Sequence, residues 1–339
     1  MKSLLVTGGA GFIGSNFVRM VLAEHPDYLV VNLDKLTYAG NLENLAEYMK
    51  HPNHRFVKGD ICDGELVERL IKEHKIDAII NFAAESHVDR SIEEPKIFID
   101  TNVTGTLTLL EAARDKGVGR FVQISTDEVY GALLLDSGTK FTEQTPLNPN
   151  SPYSASKAAA DFLVKAFGHT WGLNYCITRC SNNYGEYQFP EKMIPLMINN
   201  TLNDKELPVY GDGLYVRDWL YVYDHCTAIW KVLTEGRTGE VYNIGGCNEK
   251  SNMEVVRIIL DRLGKPESLI KHVKDRPGHD RRYAIDASKI IKKLGWKPSV
   301  NFEQGIVKTI DWYISHKDWL RNVVSKEYMK YYERMYADR

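Results

Sequence analysis

The sequence predicts an α/β fold, a doubly wound parallel sheet with a smaller mixed α/β lobe towards the C-terminus. Three observations carry this. The runs SLLVTG (3–8), YLVVNLD (28–34), HRFVKGD (54–60), DAIINFAA (77–84) and RFVQIST (120–126) are continuous rather than alternating and rich in Val and Ile, as strands buried on both faces of a parallel sheet are. Helical stretches at about 12–24, 63–75 and 95–117 lie between them, so strand and helix alternate. After Arg179 the pattern loosens into segments such as LPVYGDGLYVRDWLYVYD, which mix Pro, Gly, aromatics and charge as a ligand-facing lobe would.

Each later element has its own signal. SPYSASKAAADFLVKAFGHTWG (151–172) reads as a helix with Ser151 as N-cap, Pro152 in the first turn and Gly172 as the stop. LNYCITR (173–179) and EVYNIGG (240–246) read as strands, 252–264 as a helix, and 302–336 as one or two amphipathic helices. The expected division is 1–180 for the first domain, with later segments interleaved, and 181–339 for the second.

The 339 residues are 43% hydrophobic and 26% charged, enough to bury a sizeable core. A net charge of -2 gives no electrostatic case for nucleic acid or a membrane surface. No apolar run approaches the roughly 18 residues that span a bilayer, and the apolar run in MKSLLVTGG is too short for a signal peptide. The five cysteines are scattered without a Cys-x-x-Cys pair, so they are expected to be reduced and the compartment cytoplasmic. His51 and His54 have no partner at zinc-like spacing, and no metal is expected.

Gly8-Gly9-Ala10-Gly11-Phe12-Ile13-Gly14 follows the first strand and opens a helix. Strand, glycine turn and helix in that order make a Rossmann-type dinucleotide site: the glycines let backbone approach a pyrophosphate, and the helix start offers free N–H groups to the anion. Asp34 closes the second strand about twenty residues on, where a carboxylate accepts from ribose hydroxyls and repels a 2′-phosphate, favouring NAD over NADP. Lys35 beside it pulls the other way. Asp60, ending the third strand, suits either an adenine contact or a plain turn.

Tyr153 and Lys157 stand four residues apart on one helical face, one helix beyond the strand ending at Thr126. A lysine cation there is expected to lower the phenol pKa, so that Tyr153 takes a proton from a substrate hydroxyl while a hydride leaves the same carbon for NAD; Thr126 shares the hydrogen bond. Taken alone, the pair also suits an exposed helix. STDEVYG (125–131) adds two adjacent carboxylates, Asp127 and Glu128, where a solvated loop is the plainer expectation.

TGGAGFIG, Asp34, YSASK and the strand end at Thr126 together resemble the extended short-chain dehydrogenase/reductases, members of which act on nucleotide sugars. NFAAESHVDRSI (81–92), STDEVYG, NSPYSASKAAAD (150–161), TRCSNNYG (178–185), FPEKMIPL (189–196), YGDGLYVRDWLYVYDH (210–225) and DRPGHDRRYAID (275–286) resemble its dTDP-glucose 4,6-dehydratases, over residues 1 to about 316. The resemblance implies tightly held NAD, oxidation at carbon 4 of the hexose, loss of water across carbons 5 and 6, and hydride return to carbon 6. It makes Glu128 the base at carbon 5 and Asp127 the acid at the carbon 6 hydroxyl, the latter with a pKa raised by burial or by Glu128.

The same resemblance implies cofactor contacts from Gly8, Gly11, Phe12, Ile13, Gly14, Asp34, Lys35 and Thr37, then from Asp60, Ile61, Ala83, Ala84, Thr101 and Asn183, besides Tyr153 and Lys157. For the substrate it implies Ser86, His87, Thr126, Asn182 and Met193, with Pro208, Tyr210 and Asn252 at the base and Lys192, Arg217, Arg276 and His279 as cationic or donor groups for the diphosphate and nucleoside. It also implies a homodimer through a four-helix bundle of 95–117 and 151–172 from each subunit. Two departures stand out: Glu186 in place of a proline, expected to loosen its loop, and GALLLDSGTKF (131–141), expected to cover the site or meet a partner. A UDP- or GDP-hexose dehydratase or epimerase, and a non-catalytic NAD sensor, remain open as alternatives.

Overall fold

The computed structural model describes residues 2–275 and 278–324. Strands β1 (Ser3–Thr7), β2 (Leu29–Asp34), β3 (His54–Lys58), β4 (Ala78–Asn81), β5 (Arg120–Thr126) and β6 (Tyr175–Cys180) follow the apolar runs. Then come β7 (Asn182–Tyr184), β8 (Leu207–Tyr210), β9 (Val216–Tyr221), β10 (Glu240–Ile244), β11 (Glu249–Ser251) and β12 (Ile270–Val273). Seven strands form one sheet in the order β10-β6-β5-β4-β1-β2-β3, every neighbouring pair parallel. The order reverses between β1 and β4, where an open α/β sheet leaves a crevice beyond its strand ends.

Both faces of the sheet are covered. Helices Phe12–Glu24 and Val222–Glu235 bury one face through Leu4, Val6, Phe17, Val18, Ile229 and Val232. Helices Gly64–His74, Thr106–Asp115 and Pro152–Trp171 bury the other through Leu5, Val31, Leu70, Leu109, Phe121 and Val164. This is why the strands lack alternation: neither face meets water.

The expected helix over 95–117 is not one regular helix. Pro95–Phe98 and Thr106–Asp115 are α-helical, and Ile99–Gly105 between them is a π-turn. Its extra residue per turn places the buried Asn102 amide so that Oδ1 accepts from Glu85 N (2.9 Å) and Nδ2 donates to Glu85 O and Ser156 Oγ (3.0 and 2.8 Å). The smaller lobe packs Tyr184, Met197, Trp219, Val256, Phe302 and Ile306 between the β11-β9-β7 and β12-β8 sheets and its helices. Of the 302–336 stretch, Phe302–Ser315 and Lys317–Val323 are helical and the rest lies outside the described residues. No helix among the described residues is long and apolar enough to cross a membrane.

Candidate active site

The first helix turn builds the cofactor cradle. A Cβ on Gly8 would stand 2.7 Å from Ala83 N, and one on Gly14 would stand 2.2 Å from Gly8 O, so backbone comes together there as no other residue allows. Gly8 also has φ +68°. Asp34 ends β2 beneath this turn, with Oδ2 accepting from Ala10 N and Oδ1 from Leu36 N, both at 2.8 Å. Burial raises its pKa and the two amides oppose the rise. Lys35 is turned away to Asp60 at 2.7 Å, which settles the conflict between it and Asp34: the cation has its own carboxylate. Asp60 also accepts from Cys62 N at 3.0 Å, so it is a turn residue as well as part of the cavity wall.

A cavity of about 300 Å³ runs from this cradle along the strand ends. It is lined by Gly8, Gly11, Phe12, Ile13, Gly14, Asp34, Lys35 and Thr37, then by Asp60, Ile61, Ala83, Ala84, Ser86 and Thr101. Its far end holds Thr126, Asp127, Glu128, Tyr153, Lys157, Asn182, Asn183 and Lys192. A long cleft with an unhindered backbone cradle at one end and a carboxylate, Asp34, in its wall at the end of β2 fits a dinucleotide such as NAD.

At that far end the 152–171 helix presents Tyr153 and Lys157. Ser151 caps it through a reciprocal box with Ser154 (Ser154 N to Ser151 Oγ 3.1 Å, Ser151 N to Ser154 Oγ 3.0 Å), and Gly172 ends it with φ +70°. Tyr153 is buried and hydrogen-bonded to Thr126, while Lys157 Nζ donates to Ile124 O at 2.7 Å. The Tyr153 phenol is not lowered as the sequence led one to expect. Burial and then the Glu128 charge push it well above the usual value, and burial lowers Lys157. Spacing along a helix gives proximity of the two groups but not the depth at which they lie.

Thr126 accepts from Glu128 N at 3.3 Å and so caps the 3₁₀ turn Asp127–Tyr130. Asp127 is buried, and its pKa is raised well above the carboxylate range by burial first and by Glu128 next. Its Oδ2 is a buried atom with no partner among the described residues, as are Ser125 Oγ and Asn182 Oδ1. Buried polar atoms are normally satisfied, so a cluster of orphans at a cavity marks places a polar ligand fills.

A second cavity of about 170 Å³ adjoins the first, and Glu128, Asn182, Glu191 and Lys192 line both. It gathers His87, Met193, Pro208, Tyr210, Arg217, Asn252 and His279. Arg217 donates to Val216 O and Asp280 O (2.8 and 2.9 Å) and lies 4.3 Å from the Tyr283 ring centre. His279 stacks on Tyr215 and meets Asp275 Oδ1 at 2.7 Å. Lys192 Nζ donates to Ser86 O at 2.8 Å, joining the two walls. Arg276 lies outside the described residues.

Asn183 is held from three sides: Nδ2 donates to Ser181 O, Oδ1 meets His225 Nδ1 at 2.9 Å, and its carbonyl accepts from Gln188. Glu186, expected to loosen its loop, is tied at two points: Oε1 accepts from Tyr221 Oη at 2.7 Å and its carbonyl from Asn16 Nδ2 at 3.0 Å. The 131–141 segment lies along 282–286 (Leu133 N to Arg282 O 3.0 Å, Phe141 N to Ala284 O 2.9 Å), leaving Leu134 79% exposed.

Sequence reasoning missed Glu191, a buried carboxylate paired with Arg90 at 3.1 Å on the wall common to both cavities. It stands next to Lys192 in the quoted FPEKMIPL, so adjacency was the available signal. It also missed Tyr283 and the cavity-lining Cys180, which burial holds as a thiol with a pKa near 12.

The family model described as GDP-mannose 4,6 dehydratase matches residues 5–309. A dTDP-glucose 4,6-dehydratase of Xanthomonas campestris pv. campestris is 58% identical, with 97% of each chain covered. The crystal structure of dTDP-glucose 4,6-dehydratase from Bacillus anthracis str. Ames in complex with NAD superposes with a TM-score of 0.89 at 53% identity, covering 95% of this chain and 100% of that one. DesIV, the dTDP-glucose 4,6-dehydratase of Streptomyces venezuelae with NAD and TYD bound, gives 0.91 at 52% identity, covering 95% and 99%. Similarity of this extent, over a glycine cradle, a Tyr-Lys helix and paired acids in the same chain, places the protein in the dTDP-glucose 4,6-dehydratase family of extended short-chain dehydrogenase/reductases.

Proposed function

We propose that this chain converts dTDP-glucose to dTDP-4-keto-6-deoxyglucose with a resident NAD. One observation carries the reading: a buried Asp127, its pKa raised well above the carboxylate range, stands in the cofactor cavity with Tyr153 and beside Glu128, which lines both cavities. An epimerase that only oxidises and re-reduces carbon 4 has no use for that acid and base. When bound, NAD takes a hydride from carbon 4 and returns it to carbon 6, so none is consumed.

The chain's own residues handle the protons. Tyr153, hydrogen-bonded to Thr126, accepts the carbon 4 hydroxyl proton as tyrosinate, the form that the positive charge of bound NAD would favour against the burial and Glu128 charge that raise its pKa. The resulting ketone acidifies carbon 5, whose proton passes to Glu128. Asp127 gives its proton to the carbon 6 oxygen, which leaves as water. Gly8 to Gly14, Asp34, Asp60, Thr101 and Asn183 hold the cofactor; Ser86, Asn182 and Glu191 face the sugar, and Lys192, on the wall common to both cavities, faces the diphosphate. His87, Met193, Arg217 and His279 face the diphosphate and nucleoside, with Arg276 close in sequence, and Pro208, Tyr210 and Asn252 the base.

Exposed Ile97, Ile99, Phe162 and Trp171 on the 95–115 and 152–171 segments support a homodimer through a four-helix bundle. The division at residue 180 and a cytoplasmic setting belong to the same proposal.

The deciding test gives the purified protein dTDP-glucose, and UDP-glucose in parallel, in deuterated water without added cofactor. Loss of water with one deuterium at carbon 5, from the dTDP sugar preferentially, is the expected product mass. Reaction only with the UDP sugar overturns the substrate, and no dehydration even with added NAD overturns the roles of Asp127 and Glu128.

A further inference from the structure

Behind the site lies an ion pair with no part in the chemistry above. Asp161 stands one turn beyond Lys157 and two beyond Tyr153 on the 152–171 helix. Its Oδ2 accepts from Arg179 Nε at 2.9 Å, and the two side chains are 0% and 1% exposed. Arg179, near the end of β6, reaches in the opposite direction as well. Its Nη1 donates to Tyr130 Oη at 3.0 Å, and Tyr130 Oη donates to Asn243 Oδ1 at 2.7 Å. The guanidinium lies 4.9 Å from the Tyr130 ring centre, and that ring stacks on Phe141 at 5.1 Å. Tyr130 closes the turn that begins with Asp127 and Glu128. One cation therefore touches both the helix that carries Tyr153 and the turn that carries the acid and base.

Stability does not account for this arrangement. Removing two charges from water costs about as much as their attraction returns, and apolar side chains of similar size commonly serve a core as well. Arg179 Nη2 and Asp161 Oδ1 are also buried without hydrogen-bond partners among the described residues, which adds to the cost. What a two-armed guanidinium supplies, and an apolar pair does not, is a fixed distance between two backbone elements. The proposed reaction needs such a distance. Tyr153, Glu128 and Asp127 must address three consecutive carbons of one hexose, and misplacement by about an ångström costs on the order of a hundredfold.

We propose that Arg179 and Tyr130 are positioning residues for the elimination: Arg179, anchored to the catalytic helix by Asp161, fixes through the Tyr130 hydroxyl where the 127–130 turn places Asp127 and Glu128 against Tyr153. The inference rests on the dehydratase reading, and its consequence is selective. Weakening the link displaces the acid and base but leaves Tyr153 and Lys157 on an intact helix. Elimination slows while oxidation at carbon 4 does not.

The test uses the full-length protein as purified, with dTDP-glucose in deuterated water under single-turnover conditions. Absorbance at 340 nm follows oxidation at carbon 4, and mass follows deuterium uptake and water loss. Wild type comes first: failure to dehydrate the sugar overturns the functional reading and this one with it. Tyr130→Phe keeps the ring and removes the hydroxyl. Expected are oxidation within about twofold of wild type and water loss slowed on the order of tenfold, so that 340 nm absorbance builds up and persists. An unchanged ratio of the two rates, with both intact or both reduced together, overturns the proposal. Arg179→Lys, which keeps the buried charge against Asp161 but lacks the fork, should give the same skew, and the double variant should be no worse than the single ones. Additive losses in the double variant would mean two independent defects and would also overturn it.

Discussion

Burial and the Glu128 charge raise the Asp127 pKa well above the carboxylate range, which is what its proposed role as acid requires. The sign follows directly. Above the ordinary carboxylate value of about 4 the unfolded chain has released this proton and the folded chain retains it, so this group's contribution to stability falls as pH rises towards its raised folded pKa. Water loss should show an alkaline limb over the same rise, absent from the 340 nm signal of carbon 4 oxidation. Asp127→Asn should slow water loss about 10²–10⁴-fold while leaving that signal. Glu128→Gln should in addition abolish deuterium uptake at carbon 5, read by product mass. STDEVYG by itself read as a solvated loop, and the roles given to its two carboxylates came from the resemblance rather than from their place at a strand end. The state of Tyr153 was not legible: four-residue spacing names its neighbour, but the phenol's environment is set by β5 and the 127–130 turn folding over it. Glu191 escaped notice for a related reason, since its partner Arg90 stands 101 residues away.

Among elements, the 152–171 helix was the most legible, because its limits are chemical: Ser151 caps one end and Gly172 turns out of the other in a left-handed conformation. Ser151→Ala removes the cap and should cost about 1 kcal/mol, a loss of a few degrees in melting temperature, with Tyr153 in its first turn made less regular and carbon 4 oxidation slowed as well. The π-turn Ile99–Gly105 was illegible. Its sequence, IDTNVTG, carries no breaker apart from a terminal glycine, and the departure arises from Asn102 reaching Glu85 and Ser156 in other parts of the chain. The same turn brings Gly105 against Ile61, where a Cβ would stand 2.4 Å from Ile61 Cδ1, so Gly105 is a packing requirement rather than a break.

At the scale of the whole molecule, four of the exposed apolar side chains lie on the 95–115 segment and the 152–171 helix: Ile97 (41%), Ile99 (48%), Phe162 (56%) and Trp171 (53%). Phe162→Glu should convert a dimer to a monomer in light scattering, since one carboxylate per subunit would be buried at the contact; a monomeric wild type would refute the assembly. Sheet order was only partly legible. Alternating strands and helices foretold a doubly wound sheet, but nothing in EVYNIGG says that this strand leaves the substrate lobe and returns to β6.

That return has a consequence during synthesis. β6 is complete at residue 180, and its outer neighbour ends at residue 244. At about 5–20 residues per second, a ribosome leaves the β6 edge without its partner for roughly 3–13 s. During that interval the nascent chain displays a row of unpaired backbone groups set among Cys176, Ile177 and Thr178, the kind of edge to which another chain can add. A fragment that stops near residue 180 would keep that edge permanently and should be recovered in aggregates rather than as a free cofactor-binding domain.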